Sequence, residues 1–456
     1  MRVSPYTSPV GEPAPDSHPL DRLKRVLSLR DATLLVVSSV IGSGIFLTPG
    51  AIAGHLPEPG LIFLAWLVGG GLALAGALAN AELGAMYPRA GGDYVYLREA
   101  FHPAAGFLVG WLSFFVIYAG TIATLAAGFS AGFSAWVPMG SGAQVGLGIV
   151  LVWAVSALNY VGVRWGALAN NVTAALKIGA LLAFGLLGPV FGDGNVENLT
   201  PLFSGTSKLS LVAFGLALSP VFFSYLGWNA SVYVASEIRD PGRNVPRSLF
   251  LGVGLCTVVY LLMNGVYLYA IPVDAMNGVG NAGEAAARAL FGGLGGRLVA
   301  AFVLVSILGT LNAMVLVGPR IAYAMALDGL FFRGVERSHP RYQTPAVAIV
   351  LQAVMASLIL LTLESFERAL NATTFAILLA TLADVAALYR LRRTQPDRMR
   401  PYRAWGYPWL PGLYALANAG VAAVLLFNRP VESAVGLALL ALGVPFYGFF
   451  AKRAQT

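Results

Sequence analysis

Twelve long apolar segments constrain this chain more than any other feature. Each is near the length of about 20 residues that an α-helix needs to cross a bilayer. We number them spans 1–12, and their approximate bounds are 31–54, 60–87, 104–134, 143–160, 165–190, 209–236, 246–271, 297–327, 345–363, 368–390, 407–427 and 431–450. The chain is 57% hydrophobic and only 11% charged, which excludes a soluble protein of this length. The pattern predicts an all-α integral membrane protein with twelve transmembrane helices.

The distribution of basic residues predicts the orientation of the spans. If the N-terminus is cytoplasmic, the inside segments carry 22 of the 29 lysine and arginine residues and the outside segments carry 5. Cytoplasmic loops of membrane proteins are rich in lysine and arginine. We therefore expect a multi-pass protein of the plasma (inner) membrane with both termini in the cytoplasm. The same bias accounts for the net charge of +8 without a nucleic-acid partner.

Several other kinds of site are not expected. The single cysteine, Cys256, excludes an internal disulfide, and the four histidines stand at no metal-ligand spacing. The chain has no GxxxxGK[ST] phosphate-binding loop. We expect no cofactor. Residues 1–25, with five prolines in the first 20, read as a disordered cytoplasmic tail.

A glycine-rich stretch interrupts span 1. The sequence "VIGSGIF", residues 40–46, places Gly42, Ser43 and Gly44 in the middle of an apolar run. A non-helical backbone at this depth is tolerated only where protein or a water-filled cavity satisfies it. A break there would expose N–H groups that suit a carboxylate and C=O groups that suit an ammonium. The alternative is a close helix–helix contact, since small residues are common at such interfaces.

A second interruption favours the binding site. In span 6, Pro220, Ser224, Gly227 and Asn229 fall near the middle of the apolar segment. Spans 1 and 6 are the first members of two sets of five spans. Interrupted helices at matching positions of two halves indicate the binding site of a transporter. A channel fits less well, because no ring of like charges and no repeated filter sequence is visible.

Four stretches carry a resemblance to a known family. They are "VIGSGIFLTPG" in span 1, "NAELGAMYPRAGGDYVYLREAF" after span 2, "GWNASVYVASEIRDPGRNVPR" from span 6 and "LNAMVLVGPRIAYAMALDGLFF" in span 8. The chain resembles the amino acid–polyamine–organocation superfamily over about residues 22–427, and is most similar to bacterial relatives of the L-type amino acid transporters. The resemblance implies a LeuT-type fold. Its inverted five-helix repeats would be 26–190 and 209–390, with two additional helices and a short cytoplasmic C-terminus in 405–456.

The resemblance also implies which residues bind the substrate. The predicted set is Val40, Ile41, Gly42, Ser43, Gly44, Ile45, Phe223, Tyr225, Leu226 and Gly227. The amides of Ser43 and Gly44 would hold the substrate carboxylate. The ammonium would bind backbone carbonyls, namely those of Val40, Ile41, Phe223 and Leu226. The Phe223 ring would close over the substrate from outside, and Tyr225 with Gly227 would shape the pocket floor.

Lys177 is the one lysine placed inside a span. It lies about 18 Å along span 5 at the 1.5 Å helical rise, near the midplane, so its charge cannot easily reach water. A charged residue at this depth is a functional candidate. In sodium-independent relatives, a lysine on helix 5 resembles a replacement for the cation that sodium-coupled members hold between helices 1 and 8. Lys177 would bond carbonyls of the span 1 break and a hydroxyl of span 8, for which we choose Ser306.

Three other polar residues within the spans are expected to stabilise the fold and not to bind substrate. We expect Asp384 to pair with Arg390 near the cytoplasmic end of span 10 rather than to act in transport, and Glu82 to be paired in the same way. Asn312 is expected to hydrogen-bond across the bundle rather than line the pocket. We find no acidic residue near either break or at mid-membrane in span 3.

These observations predict a secondary transporter of neutral L-amino acids that works by alternating access, without sodium, as an exchanger or with protons. The alternative is a cationic amino acid or polyamine exchanger. An intramembrane enzyme is the rival from another class, but no nucleophile–base pair or metal set is apparent. Eukaryotic L-type relatives join a glycoprotein partner through a cysteine between spans 3 and 4. The corresponding loop here, "VPMGSGAQ", has none, so we expect no disulfide-linked heavy-chain partner.

Overall fold

A computed structural model describes residues 21–204, 210–362, 366–428 and 430–454. Most of the predicted N-terminal tail, residues 1–20, lies outside this range. Ten helices of the described residues are long and apolar enough to cross a membrane. Two shorter apolar helices, Leu211–Tyr225 and Ala346–Thr362, occupy predicted spans 6 and 9. The all-helical membrane architecture is therefore confirmed, while the count of twelve and the division into two repeats stay predictions.

The ten long helices follow the predicted spans closely. They are Leu29–Leu47, Pro59–Met86, Pro103–Ser134, Ser141–Tyr160, Val163–Phe191, Pro241–Ala270, Ala282–Leu327, Thr373–Thr394, Trp409–Asn428 and Ser433–Arg453. Two of them contain local irregularities that bear on the site. Span 1 is broken near its middle, and span 3 contains a π-helical turn, Ser113–Tyr118, a feature frequent at functional sites.

Span 1 begins with a capping box, and its first half-helix ends at Val40. The Ser28 hydroxyl accepts the Asp31 N–H, and an Asp31 carboxylate oxygen accepts the Ser28 N–H at 2.7 Å. The first half-helix runs over Leu29–Val40, and helix resumes at Gly44–Leu47 and Pro49–Ala53. Residues 41–43 between them form the span 1 break. The predicted interruption of span 1 is confirmed.

Span 6 is interrupted later than its proline. The helix Leu211–Tyr225 passes through Pro220 without breaking. Gly227 then takes a φ of +93°, a left-handed conformation that favours glycine. Helix resumes only as the short segments Ala230–Tyr233 and Ala235–Glu237. We call residues 226–229 the span 6 break.

The two broken spans lie in the middle of the bundle. The first half of span 1 packs against Val163–Phe191, Pro241–Ala270 and Ala282–Val317. The helix Trp409–Asn428 packs against Phe366–Thr394, as does Pro430–Ala454. Spans 11 and 12 therefore cover span 10, and the breaks are shielded from lipid by protein.

The predicted cytoplasmic end is held by several polar contacts. Leu27 N donates to the Glu237 carbonyl, and Arg239 N donates to the Leu27 carbonyl, both at 2.9 Å. The buried carboxylate of Glu237 forms an ion pair with Arg320 at 2.8 Å. The segment before span 1, the end of span 6 and the end of span 8 are therefore joined.

The ion pair expected for Glu82 and the hydrogen bonds across the bundle expected for Asn312 are confirmed. The ion pair expected between Asp384 and Arg390 is wrong. Arg392 and Arg400 both donate to Glu82. Asn312 accepts from Asn159 at 2.8 Å and donates to a backbone carbonyl, so it bridges helices of the bundle. Asp384 instead accepts from Asn80 at 3.1 Å.

The reason for the error at Asp384 is geometric. Arg390 lies six residues after Asp384, whereas helical neighbours on one face are three or four residues apart. The Arg390 side chain turns to the other side of the helix, where its Nε donates to the Ala100 carbonyl at 2.7 Å. Asp384 faces the interior and is fully buried.

Candidate functional site

A cavity of about 110 Å³ lies between the two breaks. Its volume is well above that needed by one water molecule. Seven of the ten residues predicted to bind substrate line it, and they are Val40, Gly42, Ser43, Gly44, Phe223, Leu226 and Gly227. The structure therefore brings the two interrupted spans together around one cavity.

Three residues of the predicted set do not line the cavity: Ile41, Ile45 and Tyr225. Tyr225 is turned toward span 2, where its hydroxyl donates to the Trp66 carbonyl at 3.2 Å and its ring packs against Trp66. The expectation that Tyr225 shapes the pocket floor is therefore wrong. It is the last residue of the helix Leu211–Tyr225, so its side chain follows helical geometry away from the break.

The span 1 break offers backbone donors to the cavity. Within the described residues, the first N–H groups after the break that bond to backbone are those of Phe46 and Leu47, both to the Ser43 carbonyl at 3.1 Å. The N–H groups of Ser43 and Gly44 have no backbone acceptor there. Free N–H groups at a helix start suit an anionic group.

Gly44 is required by the closeness of the two breaks. A Cβ atom at Gly44 would lie 2.7 Å from the Ser224 Oγ and 2.8 Å from the Ser224 Cα. At Gly42, by contrast, the nearest atom to a Cβ would be the Thr310 Oγ1 at 3.5 Å, an ordinary contact. Gly44 therefore lets span 1 touch span 6, and Gly42 has room for a side chain.

A tyrosine that the sequence analysis missed bridges spans 1 and 6 just before their breaks. The Tyr260 hydroxyl lies 2.9 Å from the carbonyl oxygen of Val40 and 2.9 Å from that of Ser224. Its ring packs edge-on against Trp66, with ring centroids 5.2 Å apart. An aromatic residue in the apolar span 7 carries no signal of this role, because only the packed bundle brings it to the breaks.

Lys177 contacts span 1 at the break but does not line the cavity. Its Nζ donates to the carbonyl of Ser38 at 3.0 Å, to that of Ile41 at 2.7 Å and to the Thr310 Oγ1 at 2.8 Å. The side chain is fully buried. All three N–H donors of the ammonium are therefore used, and they join spans 1, 5 and 8.

The hydroxyl bonded to Lys177 belongs to Thr310 and not to Ser306. The Ser306 hydroxyl donates to the Ile41 and Gly42 carbonyls, each at 3.3 Å. The two residues are four apart in span 8 and so share one helical face. The sequence could not distinguish between them.

The rest of the cavity wall mixes apolar side chains with hydroxyl groups, and the sequence analysis did not identify its residues. Hydroxyl-bearing residues of spans 3, 8 and 10 line it, and they are Tyr118, Thr121, Thr124, Thr310, Thr373, Thr374 and Thr381. They lie in apolar helices, so the rotation of these helices in the fold decides which hydroxyl groups reach the cavity. These hydroxyl groups offer hydrogen bonds without adding charge.

One acidic residue lines the cavity, against the expectation from sequence. Asp93 is the first residue of the short helix Asp93–Ala100 and is fully buried. It follows Gly91 and Gly92, whose φ values of 107° and 50° turn the chain back into the bundle. Burial raises the pKa of the Asp93 carboxyl, and a hydrogen bond from Tyr233 opposes that shift. The statement that no acid lies near the breaks is therefore wrong.

Comparison with known proteins identifies the family. Residues 27–450 match the model of the amino acid permease family. The chain is 30% identical to the serine/threonine exchanger SteT of Bacillus subtilis, over 94% of this chain and 98% of that protein. It is 29% identical to the human large neutral amino acids transporter small subunit 2, over 93% and 80%. It is also 29% identical to the mouse b(0,+)-type amino acid transporter 1, over 84% and 79%. The chain therefore belongs to the amino acid permease family of the amino acid–polyamine–organocation superfamily, and it is an amino acid transporter and not an enzyme.

Proposed function

We propose that this protein moves neutral L-amino acids across the plasma (inner) membrane by alternating access, without sodium, as an exchanger or with protons. The observation that carries the proposal is the cavity between the breaks, which is lined by residues of both interrupted spans and includes Ser43 and Gly44, whose N–H groups have no backbone acceptor among the described residues. A carboxylate suits these N–H groups, and an ammonium suits backbone carbonyl oxygens. The hydroxyl-rich wall leaves room for a neutral side chain.

Lys177 supports independence from sodium. Its ammonium already holds the carbonyls of Ser38 and Ile41 between spans 1, 5 and 8. A sodium ion at this place would need the same oxygen ligands, and two cations in contact would repel each other. The lysine therefore does the structural work of a bound cation.

The moving parts follow from the proposed repeats, 26–190 and 209–390. Spans 1, 2, 6 and 7 would rock against the other spans around the fixed site, with both termini in the cytoplasm.

The sole cysteine, Cys256, is buried in span 7. The transporter therefore works without a disulfide-linked heavy chain.

Asp93 gives the second candidate a specific basis. A carboxylate on the cavity wall would suit the second positive charge of a cationic amino acid or a polyamine. Similarity to the serine/threonine exchanger favours a small neutral substrate, whereas the b(0,+)-type relative keeps the wider range open.

Uptake of labelled serine into proteoliposomes loaded with unlabelled serine tests the proposal. Alanine, serine and leucine are expected to inhibit uptake, lysine, arginine and putrescine are not, and replacing sodium with choline should change nothing. Strong inhibition by the cationic compounds, with none by the neutral ones, would establish the second candidate instead.

A further inference from the structure

A second cavity lies at the predicted outer ends of spans 5, 7 and 8, and we call it the outer cavity. Its volume is about 470 Å³, within the range of about 300–1,000 Å³ that is typical of ligand pockets. Phe46 of span 1 and Phe302 of span 8 pack edge to face on its wall, with ring centroids 6.1 Å apart. Among the described residues that line it, Tyr267 alone has a polar side-chain group. The interior therefore suits an apolar occupant.

The rim of the outer cavity faces lipid. Leu294 and Leu298 of span 8 line it and are 69% and 63% exposed. Leu187 of span 5, on the same cavity, is also exposed. In a chain that crosses the membrane, exposed apolar side chains on spanning helices are in contact with the hydrocarbon of the bilayer. An acyl chain can therefore enter between spans 5 and 8 directly from the membrane.

A buried hydroxyl on the wall lacks a partner. The Tyr267 side chain is fully buried, and its hydroxyl has no hydrogen-bond partner among the described residues. This hydroxyl lies beside Gly283, where a Cβ atom would be 3.2 Å from it, and Gly283 also lines the outer cavity. A buried polar group without a partner is destabilising and calls for an explanation. The ester carbonyl of a lipid would supply the missing acceptor, whereas a plain hydrocarbon would not.

Two basic residues stand beside the outer cavity, on the side of the membrane where such residues are few. Of the 5 lysine and arginine residues predicted to lie outside, Arg288 and Arg297 are next in sequence to Ala287 and Leu298, which line the cavity. Arg288 forms an ion pair with Glu284 at 2.7 Å. Arg297 is exposed and forms no ion pair or hydrogen bond within the described part of the chain. Because a guanidinium group binds phosphate through paired hydrogen bonds, Arg297 is available to a phosphate at the membrane surface.

We propose that the outer cavity binds a phospholipid of the outer leaflet. One acyl chain lies between spans 5 and 8, an ester carbonyl accepts the Tyr267 hydroxyl, and the phosphate binds Arg297. A phospholipid carries all three of these groups in one molecule, whereas a diacylglycerol lacks the phosphate. The inference goes beyond amino acid transport, and its test requires no transport measurement.

A phosphatidylcholine with a photoreactive group at the end of one acyl chain tests this site. It is titrated into the purified full-length protein in detergent and crosslinked by light, and the labelled peptides are measured by mass spectrometry. We expect saturable labelling of residues 180–187 and 291–302, which line the outer cavity. A diacylglycerol with the same chains should compete about tenfold less well than unlabelled phosphatidylcholine, because it cannot bind the arginine.

Two variants, each with a matched control, test the apolar part and the phosphate contact. Ala183→Phe fills the outer cavity from an exposed position of span 5 and should lower the labelling about tenfold. Ala154→Phe makes the same change at an exposed position of span 4 that does not line the cavity, and should label as the wild type. Arg297→Gln should raise the half-saturating lipid concentration about tenfold. Arg164→Gln, at an exposed arginine of the opposite end of span 5, should leave it unchanged.

Tyr267→Phe separates a role in lipid binding from a role in the fold. The hydroxyl has no partner in the described protein, so its removal should not lower the thermal unfolding temperature of the lipid-free protein. The half-saturating lipid concentration should rise about two- to tenfold, as expected for the loss of one hydrogen bond. A lowered unfolding temperature of the lipid-free variant, with unchanged lipid binding, would assign this hydroxyl to the fold and contradict the proposed contact.

Several outcomes would overturn the inference. They are labelling spread evenly over the lipid-facing helices, full labelling in Ala183→Phe, wild-type half-saturation in Arg297→Gln, and competition by diacylglycerol equal to that by phosphatidylcholine. Gel filtration establishes that each variant is folded before labelling. If Ala183→Phe does not fold, Arg297→Gln still decides the question, because its side chain is exposed and its removal leaves no cavity.

Discussion

The close contact between Gly44 and Ser224 predicts that one methyl group added at Gly44 weakens substrate binding. Gly44→Ala places a Cβ 2.8 Å from the Ser224 Cα, a backbone atom that cannot move aside alone. Gly42→Ala is the matched control, because it adds the same group two residues earlier, where the nearest atom is 3.5 Å away. Neither glycine has a positive φ, so the two variants differ in contact and not in backbone strain.

The size of the effect follows from the cost of overpacking. Extra carbon in a tightly packed place costs about 1–3 kcal/mol, and the protein can relieve this strain by moving the two breaks apart. Substrate binding needs both breaks in place, so the cost is expected to appear in the binding free energy. At about 1.4 kcal/mol for each factor of ten, Gly44→Ala should weaken serine binding about 5- to 150-fold. Gly42→Ala should bind serine within about twofold of wild type.

Equilibrium binding of labelled serine to the purified protein measures this difference. Gel filtration and thermal unfolding of the empty protein check that both variants are folded. Wild-type affinity in Gly44→Ala would refute the reasoning, because the breaks would then not need their observed separation. Equal weakening in both variants would also refute it, since the contact distances would not explain the loss.

Three further predictions concern other parts of the molecule. Lys177→Ala removes three hydrogen bonds to a charged group, each worth about 1.5–3 kcal/mol, and should slow serine uptake in proteoliposomes at least about tenfold. Lys177→Arg should restore uptake poorly, because the planar guanidinium group does not replace a compact ammonium. Wild-type uptake rates in Lys177→Ala would contradict this prediction. Arg320→Met leaves the Glu237 carboxylate buried without its partner, and should lower the free energy of unfolding by about 3–5 kcal/mol. Adding Glu237→Gln should recover part of this stability. A thermal unfolding curve of Arg320→Met like that of the wild type would contradict the prediction. Arg398→Cys in a Cys256→Ala background should resist impermeant thiol reagents applied to intact cells, and labelling from outside would reverse the proposed orientation.

The features that the sequence predicted are those with a local signature. Gly42 and Gly44 in an apolar run marked the span 1 break, and a lysine at mid-membrane marked a buried polar contact. The missed features depend on how helices are rotated and packed. Tyr260 reaches the carbonyl of Val40, and Asp93 reaches the cavity, only because span 7 and the segment after span 2 fold against the interrupted spans.

Acidic residues distant in sequence from both breaks can still reach the cavity. The sequence predicted no acid near either break or at mid-membrane in span 3, whereas Asp93, in the segment after span 2, lines the cavity. Asp384 was assigned by its distance along the chain to Arg390, although the helical repeat separates the two residues. Residues far apart in sequence, such as Asn80 and Asp384, are the ones that form the buried contacts.

The Tyr260 bridge places one hydrogen between the two interrupted spans. A tyrosine hydroxyl carries a single hydrogen, and it lies 2.9 Å from two carbonyl oxygens, those of Val40 and Ser224. The Val40 carbonyl also accepts the Gly42 N–H at 2.8 Å, so span 1 supplies a donor of its own. The Tyr260 hydrogen can therefore turn to Ser224 in span 6 without leaving the Val40 carbonyl unsatisfied, and the contact that joins spans 1, 6 and 7 does not depend on a fixed direction of that hydrogen.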